Sequence, residues 1–206
     1  MASHRQGGGE SAPHRSKLAL LIIDMISDFE FNSGQRLLRH ALPAARNIVR
    51  LKARARAARI PTIYVNDNFG QWRSDFRQLV ERCVNGRTRG TPIARLLAPS
   101  EEDYFVLKPA NSGFFATPLQ TLLRLIGVDT LVLTGVTSTQ CVLFTAADAY
   151  VRNYRIIVPR DCVAAVKTRD NELALNYFKG VLKADVRGSA RIRLARAVDR
   201  RKRPGT

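Results

Sequence analysis

Histidine is scarce, with His4, His14 and His40 the only three in 206 residues. A cysteine–imidazole pair of the protease kind therefore has little to draw on, since all three lie in the lead-in or in an expected surface loop. Cysteine is scarce too. Cys83, Cys141 and Cys162 are odd in number, widely spaced and free of any CxxC pattern. That excludes a disulfide framework and a thiolate metal site, and fits a reducing, cytoplasmic setting. Long apolar runs are missing: none reaches the roughly 18 residues a membrane-crossing helix needs, and "MASHRQGGGESAPHRSK" has no apolar core of a secretion signal.

Negative charge is in short supply, with 17 Asp and Glu against 34 Lys and Arg, a net +17. The excess comes in blocks. Residues 36–59 hold eight basic residues and no acid, and residues 187–206 hold eight against Asp199 alone. Such blocks are compatible with a nucleic-acid or acidic-surface contact. No RNP, zinc-finger or helix-turn-helix signature supports that contact, so a solvated basic face is the favoured reading. In the tail, Ile192, Leu194, Ala195 and Val198 recur at helix-like spacing. The division expected is a flexible segment 1–16, one folded domain 17–186, and a basic tail or helix 187–206.

What is present is an alternation of short apolar, β-branched runs with helical stretches. "LALLIID" (18–24), "TIYVN" (62–66), "YFVLK" (104–108), "TLVLTG" (130–135) and "RIIVP" (155–159) read as strands, and "ADVRG" as a short sixth. Helical spacing falls between them, at about 42–59, 73–85, 118–128 and 139–153, and again within "NELALNYFKGVL". Phe76, Leu79, Val80 and Cys83 share an apolar face, which makes Cys83 a core residue; Cys162 reads the same way. This pattern predicts a Rossmann-like three-layer α/β/α domain around a mainly parallel sheet of about six strands.

In such a sheet, ligands bind beyond the carboxyl ends of the strands. Asp24 ends the first strand, residues 66–68 the second and Lys108 the third, while 134–141 follow the fourth. A carboxylate, amides, an ammonium and a thiol are thus delivered to one edge. A free thiol has a pKa of about 8.5 and attacks as thiolate; a helix N-terminus, a cation and a base each promote ionisation. Cys141 opens a helix, Lys108 is a candidate cation, and Asp24 is a candidate base in place of imidazole. Each also has an ordinary structural reading: turn acceptor, strand-end lysine, packed thiol.

The stretches "LLIIDMISDFEF", "YVNDNFGQWRSDF", "VLKPANSGFFATPL" and "LTGVTSTQCVLFTAADAYVRNYRIIVPRDCVAA", in this order across about residues 18 to 166, resemble the isochorismatase-like, or cysteine hydrolase, superfamily. The resemblance implies an Asp–Lys–Cys triad at Asp24, Lys108 and Cys141. It also implies a cis peptide at Val136–Thr137 and an oxyanion hole from the backbone N–H groups of Thr137 and Cys141. The implied activity is hydrolysis of a C–N bond in a small amide or ureido substrate through a thioester, without a cofactor. Relatives of this kind are commonly homo-oligomers.

Nicotinamidases of the family carry a metal on an Asp-x-His motif after the second strand; here Asp67 is followed by Asn68 and Phe69, and no histidine occurs after His40. No metal site of that type is expected. Isochorismatases proper cleave a vinyl ether by acid catalysis from the aspartate, which stands as the alternative reaction. A polyanion-binding module using the basic helix and tail is the alternative of another class. Phe29, Asn68, Trp72 and Phe114 are candidate substrate-pocket walls, an aromatic cage with one amide.

Overall fold

The computed structural model describes residues 15–68 and 75–194. Most of the expected flexible segment, the candidate wall Trp72, and the tail beyond Leu194 with Ala195 and Val198 lie outside the described residues. Among the described residues, no helix is long and apolar enough to cross a membrane.

The chain runs β1 (Leu18–Ile23), α1 (Gly34–Ala57), β2 (Thr62–Asp67), α2 (Phe76–Asn85), α3 (Thr91–Leu96), β3 (Tyr104–Lys108), α4 (Leu119–Ile126), β4 (Thr130–Val136), α5 (Cys141–Val151), β5 (Arg155–Ile157), β6 (Val163–Ala164) and α6 (Thr168–Gly180). The sheet order is β3-β2-β1-β4-β5, and β6 pairs with the far end of β4; every pairing is parallel. Because successive side chains point to opposite faces, the strands divide their apolar residues between two cores. Leu20, Ile22, Tyr64 and Val132 pack with α1, α2 and α3. Leu21, Ile23, Ile63, Val65, Leu131 and Leu133 pack with α4, α5 and α6. Burial on both faces is why these strands read as continuous apolar runs.

Four features differ from the sequence reading. Helix α1 begins at Gly34 rather than near 42, running through Pro43. Leu37, Ala41, Ala44, Ala45, Ile48, Leu51 and Ala55 form one buried stripe along it. That stripe offsets the roughly 3 kcal/mol an interior proline costs. Secondly, β6 and α3 were not anticipated; they have two and six residues, too few for a periodic signal. Thirdly, "ADVRG" makes only a single bridge, Asp185 to Ile157.

Fourthly, the packed body continues past residue 186. Arg54 donates to Ser189 O (2.8 Å) and Ile192 O (2.6 Å), Asp161 accepts from Ser189 N and Oγ (both 2.7 Å), and Ile192 is buried. Ser189–Arg191 is a single 3-10 turn and Ile192 is extended, so the described part of the tail is not an α-helix. Part of the basic run on α1 is therefore occupied internally. Arg54 grips the tail, Lys52 pairs with Asp103 at 2.6 Å, and Arg56 with Glu102 at 3.1 Å.

Candidate active site

The carboxyl ends of β1, β2, β3 and β4 meet at one edge. Asp24 leaves β1 with φ 52°, a left-handed conformation that aspartate tolerates better than most residues, and its N–H donates to Val65 O at 3.0 Å. Its Oδ1 accepts from Asp67 N at 2.7 Å, and its Oδ2 lies 2.9 Å from Lys108 Nζ. Lys108, the last residue of β3, is fully buried; its ammonium also stands 3.5 Å from Asp67 Oδ2 and 3.5 Å from Cys141 Sγ. Cys141, first residue of α5, donates its Sγ–H to Asn111 Oδ1 at 3.8 Å.

The approach to Cys141 is fixed by backbone. Gly135 adopts φ 112°, and a β-carbon there would lie 2.0 Å from Ile23 O, so only glycine fits beside β1. The Val136–Thr137 bond that follows is cis. Thr137 O accepts from Gln140 N and Val142 N, while Ser138 N donates to Ala164 O. Among the described residues, no protein group accepts from the backbone N–H of Thr137 or of Cys141.

The ionisation states follow from burial and charge. Burial raises the Asp24 carboxyl above the ordinary carboxylate value, against the opposing pull of Lys108. For Lys108, burial works against the ammonium, but the charges of Asp24, Cys141 and Asp67 outweigh it, and its pKa is raised. Burial and the Asp24 charge push the Cys141 thiol up to about 12, despite the nearby ammonium. Burial and the Asp24 charge thus outweigh the ammonium of Lys108, and no resting thiolate forms. The thiol is the resting form, and the Lys108 ammonium joins it to the Asp24 carboxylate, lying 3.5 Å from the sulfur and 2.9 Å from Asp24 Oδ2.

A cavity of about 420 Å³ opens over this cluster. Asp24, Asp67, Asn111, Thr137 and Cys141 line it, with Phe29, Phe31, Leu37, Val136 and Val166 as apolar wall and Gln140 and Asp170 among its polar groups. Of the candidate walls, Phe29 is in place, its ring stacked on Phe31 at 6.1 Å. Phe114 is not. It is buried in the core against Tyr154 at 5.9 Å, beneath the Arg152 guanidinium at 5.0 Å, because its ring turns inward from the loop after β3. Asn68 donates its N–H to Lys108 O at 3.2 Å and is not part of the described wall. Among the described residues no group of three or more His, Cys, Asp or Glu side chains is placed to hold a metal ion.

Asp67 and Asn111 were not singled out in the sequence as partners of the cluster. Asp67 sits opposite Lys108 in the β2–β3 register, which only strand pairing reveals. Asn111, three positions after Lys108, is brought to Sγ by the fold of its loop.

Fold and site together define a three-layer α/β hydrolase. The sequence model of the Isochorismatase domain matches residues 18–188, and the chain belongs to that family. An uncharacterised isochorismatase family protein, YaaI, of Bacillus subtilis (strain 168) is 42% identical over 168 residues, covering 82% of this chain and 92% of YaaI. The crystal structure of N-carbamoylsarcosine amidase from Thermoplasma acidophilum superposes with a TM-score of 0.65 at 33% identity, covering 86% of this chain and 99% of that one. A maleamate amidohydrolase of Pseudomonas putida is 40% identical over a shorter stretch of 77 residues, 36% of each chain.

Proposed function

We propose that this chain hydrolyses the C–N bond of a small amide or ureido compound through a thioester on Cys141. The observation that carries the reading is the position of the Lys108 ammonium, within 3.5 Å of both the Asp24 carboxylate and the Cys141 sulfur in a buried cluster facing a cavity. Similarity to an N-carbamoylsarcosine amidase and, over a shorter stretch, to a maleamate amidohydrolase supports the C–N bond as the target.

With the thiol pushed up to about 12, a free thiolate is a costly intermediate, so proton transfer to Asp24 accompanies attack on the carbonyl carbon. Lys108 holds the carboxylate in place and offsets the charge that develops on sulfur. The oxyanion falls to the backbone N–H groups of Thr137 and Cys141, an interaction worth about 2.7–4 kcal/mol per donor in hydrolases of known mechanism. Protonated Asp24 returns its proton to the leaving nitrogen, the C–N bond breaks, and ammonia or an amine departs. Water then attacks the thioester, gives one proton to Asp24, and frees the acid and the thiol. Water is the sole co-reactant, and no cofactor enters.

A second reading, acid-catalysed vinyl-ether cleavage by Asp24 without a nucleophile, draws support from the same burial, which favours the protonated carboxyl. Ammonia release from a panel of carboxamides and N-carbamoyl amino acids, with isochorismate assayed in parallel and Cys141→Ala as control, separates the two. Amide turnover lost in the variant supports the thioester route. Isochorismate cleavage retained by the variant, with no amide turnover, supports the acid route.

A further inference from the structure

The loop after β3, residues 109–118, carries Asn111 to within 3.8 Å of Cys141 Sγ. Thr145, one turn after Cys141 on α5 and fully buried, bridges that loop to the start of the helix. Its hydroxyl donates to the backbone carbonyl of Cys141 itself at 2.7 Å and accepts from the backbone N–H of Gly113 at 2.9 Å. The first bond is a common habit of threonine in helices. The second is not: it crosses to another segment and uses the remaining capacity of the hydroxyl.

The neighbouring residue supplies a second tie. Ser112 Oγ donates to Asp148 on α5 and accepts from Phe114 N at 3.1 Å. Asp148 is in turn gripped by Arg152, whose guanidinium covers the Phe114 ring. Two consecutive residues just beyond Asn111 are thus fastened to the helix that begins at the nucleophile. Gly113 lets the loop lie tight against β2, since a β-carbon there would lie 2.8 Å from Val65 Cγ1. Asn111 itself is exposed and lines the cavity. A primary amide offers both donors and an acceptor, the complement of a carboxamide or ureido group.

We propose that Asn111 holds the reacting amide group of the substrate against Cys141, and that Thr145 is a positioning residue that sets the spacing of the two through the Gly113 bridge. The proposal rests on the hydrolase reading above. Thr145→Val keeps the shape and removes the hydroxyl; Thr145→Ser restores it. A displacement of about 1 Å at a reacting group can cost on the order of a hundredfold in rate.

The valine variant is expected to lose about 10- to 100-fold in kcat/KM on the best amide, and the serine variant to stay within about threefold of the parent. Reaction of Cys141 with methyl methanethiosulfonate, which has no amide to hold, is expected to change less than about twofold in either variant. A crystal structure of Thr145→Val should show the Asn111–Sγ distance altered, and Asn111→Ala should raise KM. Unchanged turnover in the valine variant, or a loop that stays in place, overturns the positioning role; an unchanged KM in Asn111→Ala overturns the contact. Absence of amide turnover in the parent protein would instead strike the hydrolase reading, and the loop displacement in the crystal would still decide the role of Thr145.

Discussion

Replacing Lys108 by methionine removes a buried ammonium while preserving most of its volume, and leaves Asp24 and Asp67 facing a place formerly held by positive charge. Removing one partner of a buried ion pair typically costs about 3–5 kcal/mol, because the remaining charge stays desolvated. At pH 8 the expected loss of unfolding free energy is of that size, a Tm decrease of roughly 6–20 °C for a chain of this length. The loss is pH-dependent. Burial already raises the Asp24 pKa above 3.8, and Lys108 is the chief influence opposing that rise. Without Lys108 the pKa climbs further. A carboxyl whose folded pKa is raised stabilises the fold when protonated, and that benefit is lost as pH rises through the folded value. The deficit of the variant must therefore shrink on acidification. Urea unfolding of both proteins at pH 8 and pH 5.5 measures it, and a decrease of at least about 1 kcal/mol in the deficit is expected. A deficit below about 1 kcal/mol at pH 8, or one equal at both pH values, would refute the buried cluster as described.

Three further outcomes are expected. The pH profile of kcat/KM should rise through an acid limb above the ordinary carboxylate range, set by Asp24, and then stay flat to about pH 10, because both Lys108 and the Cys141 thiol titrate above their usual values. A limb near 8.5, where an unperturbed thiol ionises, would contradict the burial of Cys141. Gly135→Ala should destabilise by about 3 kcal/mol or more in urea unfolding, since its β-carbon would lie 2.0 Å from Ile23 O; a change under about 1 kcal/mol would show that β1 and β4 can part at no great cost. The charged side chains that line the described part of the cavity, Asp24, Asp67 and Asp170, are all carboxylates. Neutral or cationic amides should therefore show higher kcat/KM than anionic amides of equal length, and the reverse order would refute that charge argument.

The parallel sheet was legible because two-sided burial writes each strand as an unbroken apolar run, and the strand-end rule then placed Asp24, Lys108 and Cys141 on one edge. Short elements were not: β6 is two residues of "VAA" that acquire strand character only from the end of β4. The early start of α1 was hidden by Pro43, a local breaker overridden by burial of Leu37 and Ala41 six and two residues before it. Inside the site, sequence gave the right order of segments without the side-chain directions. Phe114 turns into the core and Asn111 toward the sulfur, although both belong to the same loop. A helix start and a lysine are visible in sequence, whereas the depth of burial that outweighs them is a property of the assembled sheet.

The most direct test of the central claim is rapid acid quenching of the protein during turnover of its best amide substrate, followed by intact mass analysis alongside ammonia release. The account predicts an acyl adduct on Cys141 in the parent protein, with both adduct and ammonia reduced at least about a thousandfold in Cys141→Ala. Ammonia release by Cys141→Ala within tenfold of the parent, without any adduct, would contradict it.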